Sequence, residues 1–344
     1  MQLNRVLVGI DFSAPSLAAA RWVAQHFAPR AELALIHVVP EPRTPPYLAT
    51  RAVRHDHEAA ERAASLLGGL MALAGSVGGP RATADVRRGD PAAELARAAT
   101  ELGADVIVAG RSGQRAGSGG WRRLGTTADR LVRTASVPVL VTARNPAVDP
   151  KMVFAAIDEG DLGESVLAWG VYLARKLHAR LTALHVVDDA ERAIASSRRQ
   201  WSGISPAGDD AVDDEAIRDA AASWLRSRVA AAGYDPSRAD VAVAVGDPRH
   251  EMLAAAGCLD AGLIVIGRRG ADGSERTGLG GITRAALRPS ARPVLVIPPP
   301  VEPSPPLGGP FRGRRSRILR LPDRAATRNI FLDTPSNPPA ARAG

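Results

Sequence analysis

The chain of 344 residues repeats its own plan once, and this duplication restricts its fold more than any other feature. Four landmarks occur in the same order in both halves: RVLVGID at 5–11 and MVFAAID at 152–158, LIHVV at 35–39 and LHVVD at 184–188, GDP from Gly89 and from Gly246, and VPVLVT at 137–142 and RPVLVI at 292–297. Repetition at this length predicts two domains of one fold. We place them at 1–146 and 147–297 and call them the first and second repeat.

Each repeat alternates short apolar runs with longer segments that have helical spacing, a pattern typical of βαβ units around a parallel sheet. In the first repeat we predict strands near 5–10, 32–39, 82–88, 104–109 and 137–142, and helices near 14–28, 50–74, 91–102 and 126–135. Uninterrupted runs such as VIVA and LIVI indicate strands that are covered on both faces. The fold class is therefore α/β, with a Rossmann-like five-stranded sheet and helices on both faces in each repeat.

Two local features refine this plan. The GDP motifs suit helix starts, because Asp90 and Asp247 can cap the helix while Pro91 and Pro248 occupy its first position. The second repeat has an insertion within or near the segment 196–215, whose Gly, Pro, Ser and acidic residues predict an exposed loop.

A third segment, 298–344, is rich in Pro and Arg and contains too few apolar residues to fold alone. We predict a disordered tail that is either solvated or acts as an arm for a partner. Only SRILRLP at 316–322 and NIFLDTP at 329–335 have the apolar content to dock on another surface.

Composition excludes several classes of function. The net charge of +8 comes from the first repeat and the tail rather than from one continuous strip, and aromatic residues form only 4% of the chain, so a nucleic-acid partner is not expected. No apolar run is long enough to span a bilayer, so no membrane association is expected. A lone cysteine, Cys258, predicts a reducing, cytoplasmic compartment, and we place its side chain in the core near a helix end.

The residues that follow the strands are the candidates for a binding site, since ligands of open parallel sheets bind beyond the carboxyl ends of the strands. They are Asp11, Val38 and Gly110 in the first repeat, and Asp158, Val186 and Gly267 in the second. Glycine at such ends permits a positive φ and a close approach of backbone N–H groups. The next helix of the first repeat begins near Thr126, so its N–H groups and the hydroxyls of Thr126 and Thr127 favour a phosphate chain.

Other motifs indicate no chemistry. The Walker pattern and the dinucleotide fingerprint are both absent from the sequence. His55 and His57 in RHDHE point in different directions on a helix, and we interpret His37 and His185 as oriented core residues. Arg111, Arg268 and Arg269 either screen phosphate charge or are solvated. We predict no catalytic residue and no metal site.

The stretches VLVGIDFSAPS, LIHVV, RRGDPAAELARAATELGADVIVAGRSG and VPVLV resemble the universal stress protein family, and the chain to Ile297 resembles a tandem pair of its domains. The resemblance implies a strand order of 3-2-1-4-5, a ligand between strands 1 and 4, and pairing of the domains through their last strands. Members that bind ATP carry Gly-x-x-Gly, nine residues, then Gly-Ser/Thr.

By this resemblance Asp11 and Val38, and Asp158 and Val186, would meet adenine and ribose, while the glycines would hold the phosphates. The implied positions are Gly9, Gly110, Gly113, Gly125, Thr126 and Thr127 in the first repeat, and Gly267, Gly270, Gly280 and Gly281 in the second. Eleven residues separate Gly113 from Gly125, and Gly281 replaces the hydroxyl residue of the second motif. The small-residue approach to Asp11 favours the first repeat.

The leading hypothesis is a cytoplasmic universal stress protein that binds ATP, with or without Mg²⁺, and acts in stress response or its regulation. Two alternatives stay open: an interaction or scaffold protein with empty loops, and a slow ATPase or adenylyl-transferring enzyme. Expected partners are an adenine nucleotide, the paired domains of the chain itself, a second copy in a homodimer, and a protein of unknown identity.

Overall fold

The computed structural model describes residues 2–40, 58, 60–71, 81–112, 124–142, 150–194, 214–234, 239–269, 279–288, 292–299, 316–320 and 330–335. These residues form two compact units. The first unit combines Met1–Asp149 with Ser274–Val301, and the second combines Pro150–Gly273 with Glu302–Gly344. The end of the second repeat therefore belongs to the first unit. The predicted division instead follows the order of the two repeats along the chain.

The strands of the first repeat are β1 (Arg5–Gly9), β2 (Glu32–Val39), β3 (Ala82–Arg88), β4 (Val106–Gly110) and β5 (Val139–Thr142). Those of the second repeat are β6 (Met152–Ala156), β7 (Arg180–Val187), β8 (Ala239–Val245), β9 (Leu263–Gly267) and β10 (Val294–Ile297), and the tail adds β11 (Ser316–Arg320) and β12 (Ile330–Pro335).

The helices alternate with these strands. They are α1 (Ala14–Trp22), which continues as a π-helical turn over Val23–Phe27, α2 (60–71), α3 (Pro91–Leu102), α4 (Thr126–Thr134), α5 (Asp161–Lys176), α6 (189–194), α7 (Asp214–Ala231), α8 (Pro248–Cys258) and α9 (Gly281–Leu287). The predicted βαβ alternation of the first repeat is confirmed, and the strand limits agree within two residues.

The first unit contains a sheet of order β3-β2-β1-β4-β5 with all neighbours parallel, as the resemblance implied. Strand β10 adds to it antiparallel to β5, with Leu295 opposite Leu140. The last strands of the two repeats are therefore paired. Val6, Ile107 and Leu140 in the centre of this sheet are fully buried, which confirms that the central strands are covered on both faces.

The second unit contains parallel strands in the order β8-β7-β6-β9, which matches the first four positions of the predicted order. Strand β12 pairs antiparallel with β8, and β11 pairs antiparallel with β12. These two strands are the stretches of the tail that the sequence singled out for docking. The other residues of the tail lie outside the described residues.

The predicted helix caps are confirmed. Oδ1 of Asp90 accepts from the N–H of Ala93 at 3.0 Å, and Oδ1 of Asp247 accepts from the N–H of Arg249 at 2.8 Å. The prediction for Cys258 was wrong, because this residue is exposed. It is the last residue of α8, beyond the turn that buries Met252, Ala255 and Ala256.

Candidate functional site

The sheet register brings the predicted strand-end residues side by side. Gly9 pairs with Ile36, so Asp11, two residues further along, is level with Val38 on the neighbouring strand. In the second repeat Ala156 pairs with Leu184, which sets Asp158 level with Val186 in the same way. Each repeat therefore places a carboxylate next to a valine at the carboxyl edge of its sheet.

Asp11 is fixed by the turn that leads into α1. Its Oδ1 accepts from the N–H of Ser13 at 3.0 Å and from the Ser13 hydroxyl at 2.5 Å. The Ser13 Oγ in turn accepts from the N–H of Ser16 at 3.3 Å, which caps the helix. The carboxylate at the end of β1 is thus oriented by the same hydroxyl that starts α1.

The strand-end glycines are explained by packing and not by the positive φ that we expected. Among the described glycines, positive φ occurs at positions 89, 103, 233 and 246, none of which belongs to the predicted site. A Cβ on Gly110 would lie 3.1 Å from the backbone N of Ser16, and one on Gly9 would lie 3.0 Å from a Leu95 methyl group. A Cβ on Gly267 would lie 2.7 Å from a methyl group of Leu162. Glycine here lets a helix approach the strand end closely.

The residues around the start of α4 meet at this edge. The N–H of Gly125 donates to the carbonyl oxygen of Arg111 at 2.8 Å, so the two ends of the glycine-rich segment lie together just beyond β4. Thr126 is exposed and Thr127 is half-buried. Gly113, which lies between them in sequence, is outside the described residues, as is Gly270 of the second repeat.

Helix starts in the described residues fall into two groups. Side chains of Ser13, Asp90 and Asp247 cap α1, α3 and α8. Helices α4, α5 and α9 begin instead at Gly125, Gly160 and Gly280, which provide no side-chain cap. The first-turn N–H groups of α4 therefore receive no hydrogen bond acceptor from the N-cap side chain, and an anion can take that role.

Burial raises the pKa of Asp158 above its ordinary value, while the backbone N–H groups of Gly160 and Gly163 oppose that shift. Its Oδ1 is buried and has no hydrogen-bond partner in the part of the chain that the structure describes. Gly280 and Gly281, which were predicted for the same site, belong to the first unit. The residues predicted for the second nucleotide site are thus divided between the two units.

The two strand-end histidines have the same backbone contact and different surroundings. Nδ1 of His37 lies 2.7 Å from the carbonyl oxygen of Ile10, and Nδ1 of His185 lies 3.0 Å from that of Ile157. Phe12 packs beside His37 with ring centroids 4.9 Å apart. The second repeat has Glu159 at the position of Phe12.

Glu159, His185 and Glu191 offer ligand atoms that all lie within 4.8 Å of one another. No sequence pattern predicted this group. The signal available was the position of Glu159 and His185 at the ends of adjacent strands, but Glu191 reaches them only through helix α6.

Two of the three arginines beside the first glycines, Arg111 and Arg268, are buried, so the interpretation of these two as solvated was wrong. Arg111 is buried, and its Nη1 donates to the carbonyl oxygens of Leu287 and Arg288 at the end of α9, the latter at 2.9 Å. Burial lowers the pKa of Arg111. Arg268 is also buried, and burial together with the charge of Arg269 lowers its pKa to about 10. Arg111 acts as a cationic partner for a helix C-terminus.

These observations define a duplicated α/β protein of the Rossmann-like class, with a carboxylate, a valine and an uncapped helix start at the carboxyl edge of its first sheet. A model of the universal stress protein family matches residues 2–143 and 151–298. The chain belongs to this family.

Known relatives agree with that assignment. The chain is 28% identical over 315 residues to a universal stress protein of Mycolicibacterium smegmatis, covering 86% of this chain and 97% of that protein. It is 28% identical over 147 residues to the universal stress protein YxiE of Bacillus subtilis, covering 42% of this chain and 97% of that protein. A universal stress protein structure from Archaeoglobus fulgidus superposes with a TM-score of 0.60 at 20% identity, over 87% of this chain and 99% of that one. Among the described helices, none has the length and apolarity needed to cross a membrane.

Proposed function

We propose that this protein binds ATP in the crevice at the carboxyl ends of β1 and β4 in its first repeat, and that bound ATP regulates its role in the stress response. The observation that carries the proposal is the start of α4 at Gly125, which lacks a side-chain cap. An uncapped helix start combines free N–H groups with the positive end of the helix dipole, and both favour a phosphate chain.

The local geometry supports a phosphate at this point. Arg111 and Gly125 hold the ends of the glycine-rich segment together through a 2.8 Å hydrogen bond, so the segment returns to the strand end from which it leaves. Thr126, the first residue of the helix, is exposed and can offer its hydroxyl. Arg111 contributes no charge-assisted contact in this proposal, because its guanidinium is buried against the end of α9.

The adenosine end of the ligand would lie along β1 and β2. Asp11 is half-buried and oriented by Ser13, and Val38 is 7% exposed on the adjacent strand. A carboxylate accepts hydrogen bonds from an amino group or hydroxyl, while a buried valine gives an apolar wall to a base. Asp11 can alternatively contribute one oxygen to a Mg²⁺ ion that the phosphates carry.

The second repeat is the weaker candidate for a nucleotide. Helix α9 has seven residues, whereas α4 has nine, and Gly281 offers no hydroxyl at its first position. Glu159 replaces Phe12 at the adenosine end and adds negative charge near the proposed position of an anionic ligand. We therefore propose that each chain binds one ATP, in the first repeat. We also propose that the protein works in the cytoplasm.

A thermal melt of the full chain with and without millimolar ATP and Mg²⁺ tests the proposal. A ligand at 100 times its Kd adds roughly 2.7 kcal/mol to the folded state, which would raise the midpoint of unfolding by several degrees. An unchanged midpoint at saturating ATP would contradict the proposal. Mass spectrometry of small molecules released from freshly purified protein gives a second, independent measurement.

A further inference from the structure

The second repeat contains a group of three ligating side chains that the proposed nucleotide site does not use. Glu159 follows β6, His185 is near the end of β7, and Glu191 lies in the first turn of α6. All three belong to the second unit. Their candidate ligand atoms lie within 4.8 Å of one another. We propose that these residues form a binding site for a divalent transition metal of the Zn²⁺ type.

His185 is prepared for this role by its other ring nitrogen. Nδ1 lies 3.0 Å from the carbonyl oxygen of Ile157, so this nitrogen carries the hydrogen and donates it. In the neutral imidazole this tautomer leaves a lone pair on Nε2, and a backbone carbonyl is a usual outer partner of a metal-bound histidine. The residue is 5% exposed, and the ring of Trp224 packs on it with centroids 5.1 Å apart. The direction of Nε2 is therefore fixed.

Glu191 is also held in place. It forms a capping box with Asp188: the N–H of Glu191 donates to Oδ1 of Asp188 at 2.9 Å, and the N–H of Asp188 donates to Oε2 of Glu191 at 3.2 Å. The same Oε2 lies 3.4 Å from Nε2 of His185. One rigid carboxylate and one rigid imidazole thus face the same small volume.

Glu159 supplies the third candidate ligand. Its side chain is exposed and can turn inward, which would bring ligand atoms that are up to 4.8 Å apart to the separation of about 3.4 Å that two ligands have when each lies about 2.0–2.2 Å from a tetrahedral zinc ion. Two carboxylates and one imidazole are a borderline ligand set that suits Zn²⁺ better than Mg²⁺, which prefers oxygen alone. Water would fill the remaining position.

The first repeat provides the comparison. His37 has the same hydrogen bond to a backbone carbonyl, yet Phe12 occupies the position of Glu159 and packs on the ring. An apolar ring cannot ligate a cation, so the proposal predicts metal binding at His185 and none at His37. The alternative role for the three residues is a network of ion pairs and helix capping without a metal.

Zinc titration of the full-length protein in the absence of nucleotide tests this proposal, with isothermal calorimetry and metal analysis after dialysis as readouts. We expect one Zn²⁺ per chain. His185→Asn keeps a donor for Ile157 and removes Nε2, and Glu159→Gln changes an exposed side chain that does not support the fold. In metalloproteins, substitution of a residue that hydrogen-bonds a metal ligand typically reduces metal affinity by about 10–100-fold. Loss of a ligand itself should therefore weaken zinc binding by at least about tenfold.

His37→Asn is the matched control and should leave zinc affinity unchanged. The absence of zinc binding by the wild-type protein would overturn the proposal, as would equal binding by the wild type and His185→Asn. Co²⁺ in place of Zn²⁺ adds a visible absorption spectrum that Glu159→Gln should alter if this carboxylate is a ligand. Because no nucleotide is present, failure here is separate from failure of the ATP proposal.

Discussion

The hydroxyl of Ser13 donates to Oδ1 of Asp11 over 2.5 Å and so links the end of β1 to the start of α1. Ser13→Ala removes this bond and the helix cap to Ser16. Loss of a cap costs about 1 kcal/mol, which lowers the unfolding midpoint of a unit of this size by about 2–4 °C. Ser13→Thr keeps the hydroxyl and should remain close to wild type in a thermal melt. Equal midpoints for wild type and Ser13→Ala would contradict this role.

Asp247 makes the second unit sensitive to acid. Hydrogen bonds and charge from Arg249, followed by the N–H groups of the helix start, lower its pKa from 3.8 to about 2. A lowered pKa means that the contribution to stability is complete above about pH 4 and is lost as the pH falls toward 2. The side chain is 47% exposed, so solvent screening keeps the charge effect small.

Asp247→Ala should therefore cost about 1 kcal/mol at pH 7, chiefly through the lost cap. Asp247→Asn should cost less, since the amide oxygen still accepts from the helix start. Urea unfolding between pH 3 and pH 7 measures both variants. The difference between wild type and Asp247→Asn should shrink as the pH falls, and a difference that grows would contradict the assignment.

The pKa of Glu251 is shifted in the opposite direction to that of Asp247. It is buried, its Oε2 has no hydrogen-bond partner among the described residues, and burial raises its pKa. Stability linked to this group is complete below its ordinary pKa and declines as the pH rises through the raised value. Glu251→Gln removes the charge and should stabilise the protein at pH 7 by about 1 kcal/mol.

The matched control for Glu251 is Glu94, which occupies the same place in the first repeat and pairs with Arg97. Glu94→Gln should change the unfolding midpoint little. Urea unfolding at pH 5 and pH 7 separates the two carboxylates. If Glu251→Gln proved less stable than wild type at pH 7, buried charge would not be the dominant effect at this position.

Gly163 allows the first turn of α5 to close over Asp158. A Cβ at this position would lie 2.2 Å from the carbonyl oxygen and 2.7 Å from Oδ1 of Asp158, so Gly163→Ala must displace backbone. We expect a loss of at least about 2 kcal/mol. Gly257→Ala in α8 meets nothing within 4 Å and should instead stabilise by roughly 0.5–1 kcal/mol. Thermal melts of both variants should move in opposite directions.

Local sequence patterns predicted much of the fold but less of the candidate site. We predicted the repeats from short segments that recur in the same order. The parallel strands and the caps at Asp90 and Asp247 were predicted from patterns within such segments. The contact of Arg111 with Arg288 joins residues 177 positions apart, and no local pattern encodes such a partner. The exposure of Cys258 depends on which face of α8 meets the sheet.

The candidate site shows the same limit. Asp11 and Val38 were predicted as site residues because strand ends are visible in sequence, and Gly125 was predicted because the family resemblance implied it. The convergence of Glu191 on His185 was not, because it depends on where α6 begins. The reason for glycine at positions 110 and 267 was also missed, since close packing of a helix on a strand end appears only in three dimensions.

Calorimetric titration of ATP and Mg²⁺ into Gly125→Asp and Gly280→Asp tests the central claim most directly. Gly125 has φ −64° and ψ 149°, which aspartate adopts easily, so the new carboxylate caps α4 and occupies the proposed phosphate position. We predict that wild type and Gly280→Asp bind one ATP, and that Gly125→Asp folds with equal or higher stability but no longer binds it. Undiminished ATP binding by Gly125→Asp, or none by the wild type, would contradict the account.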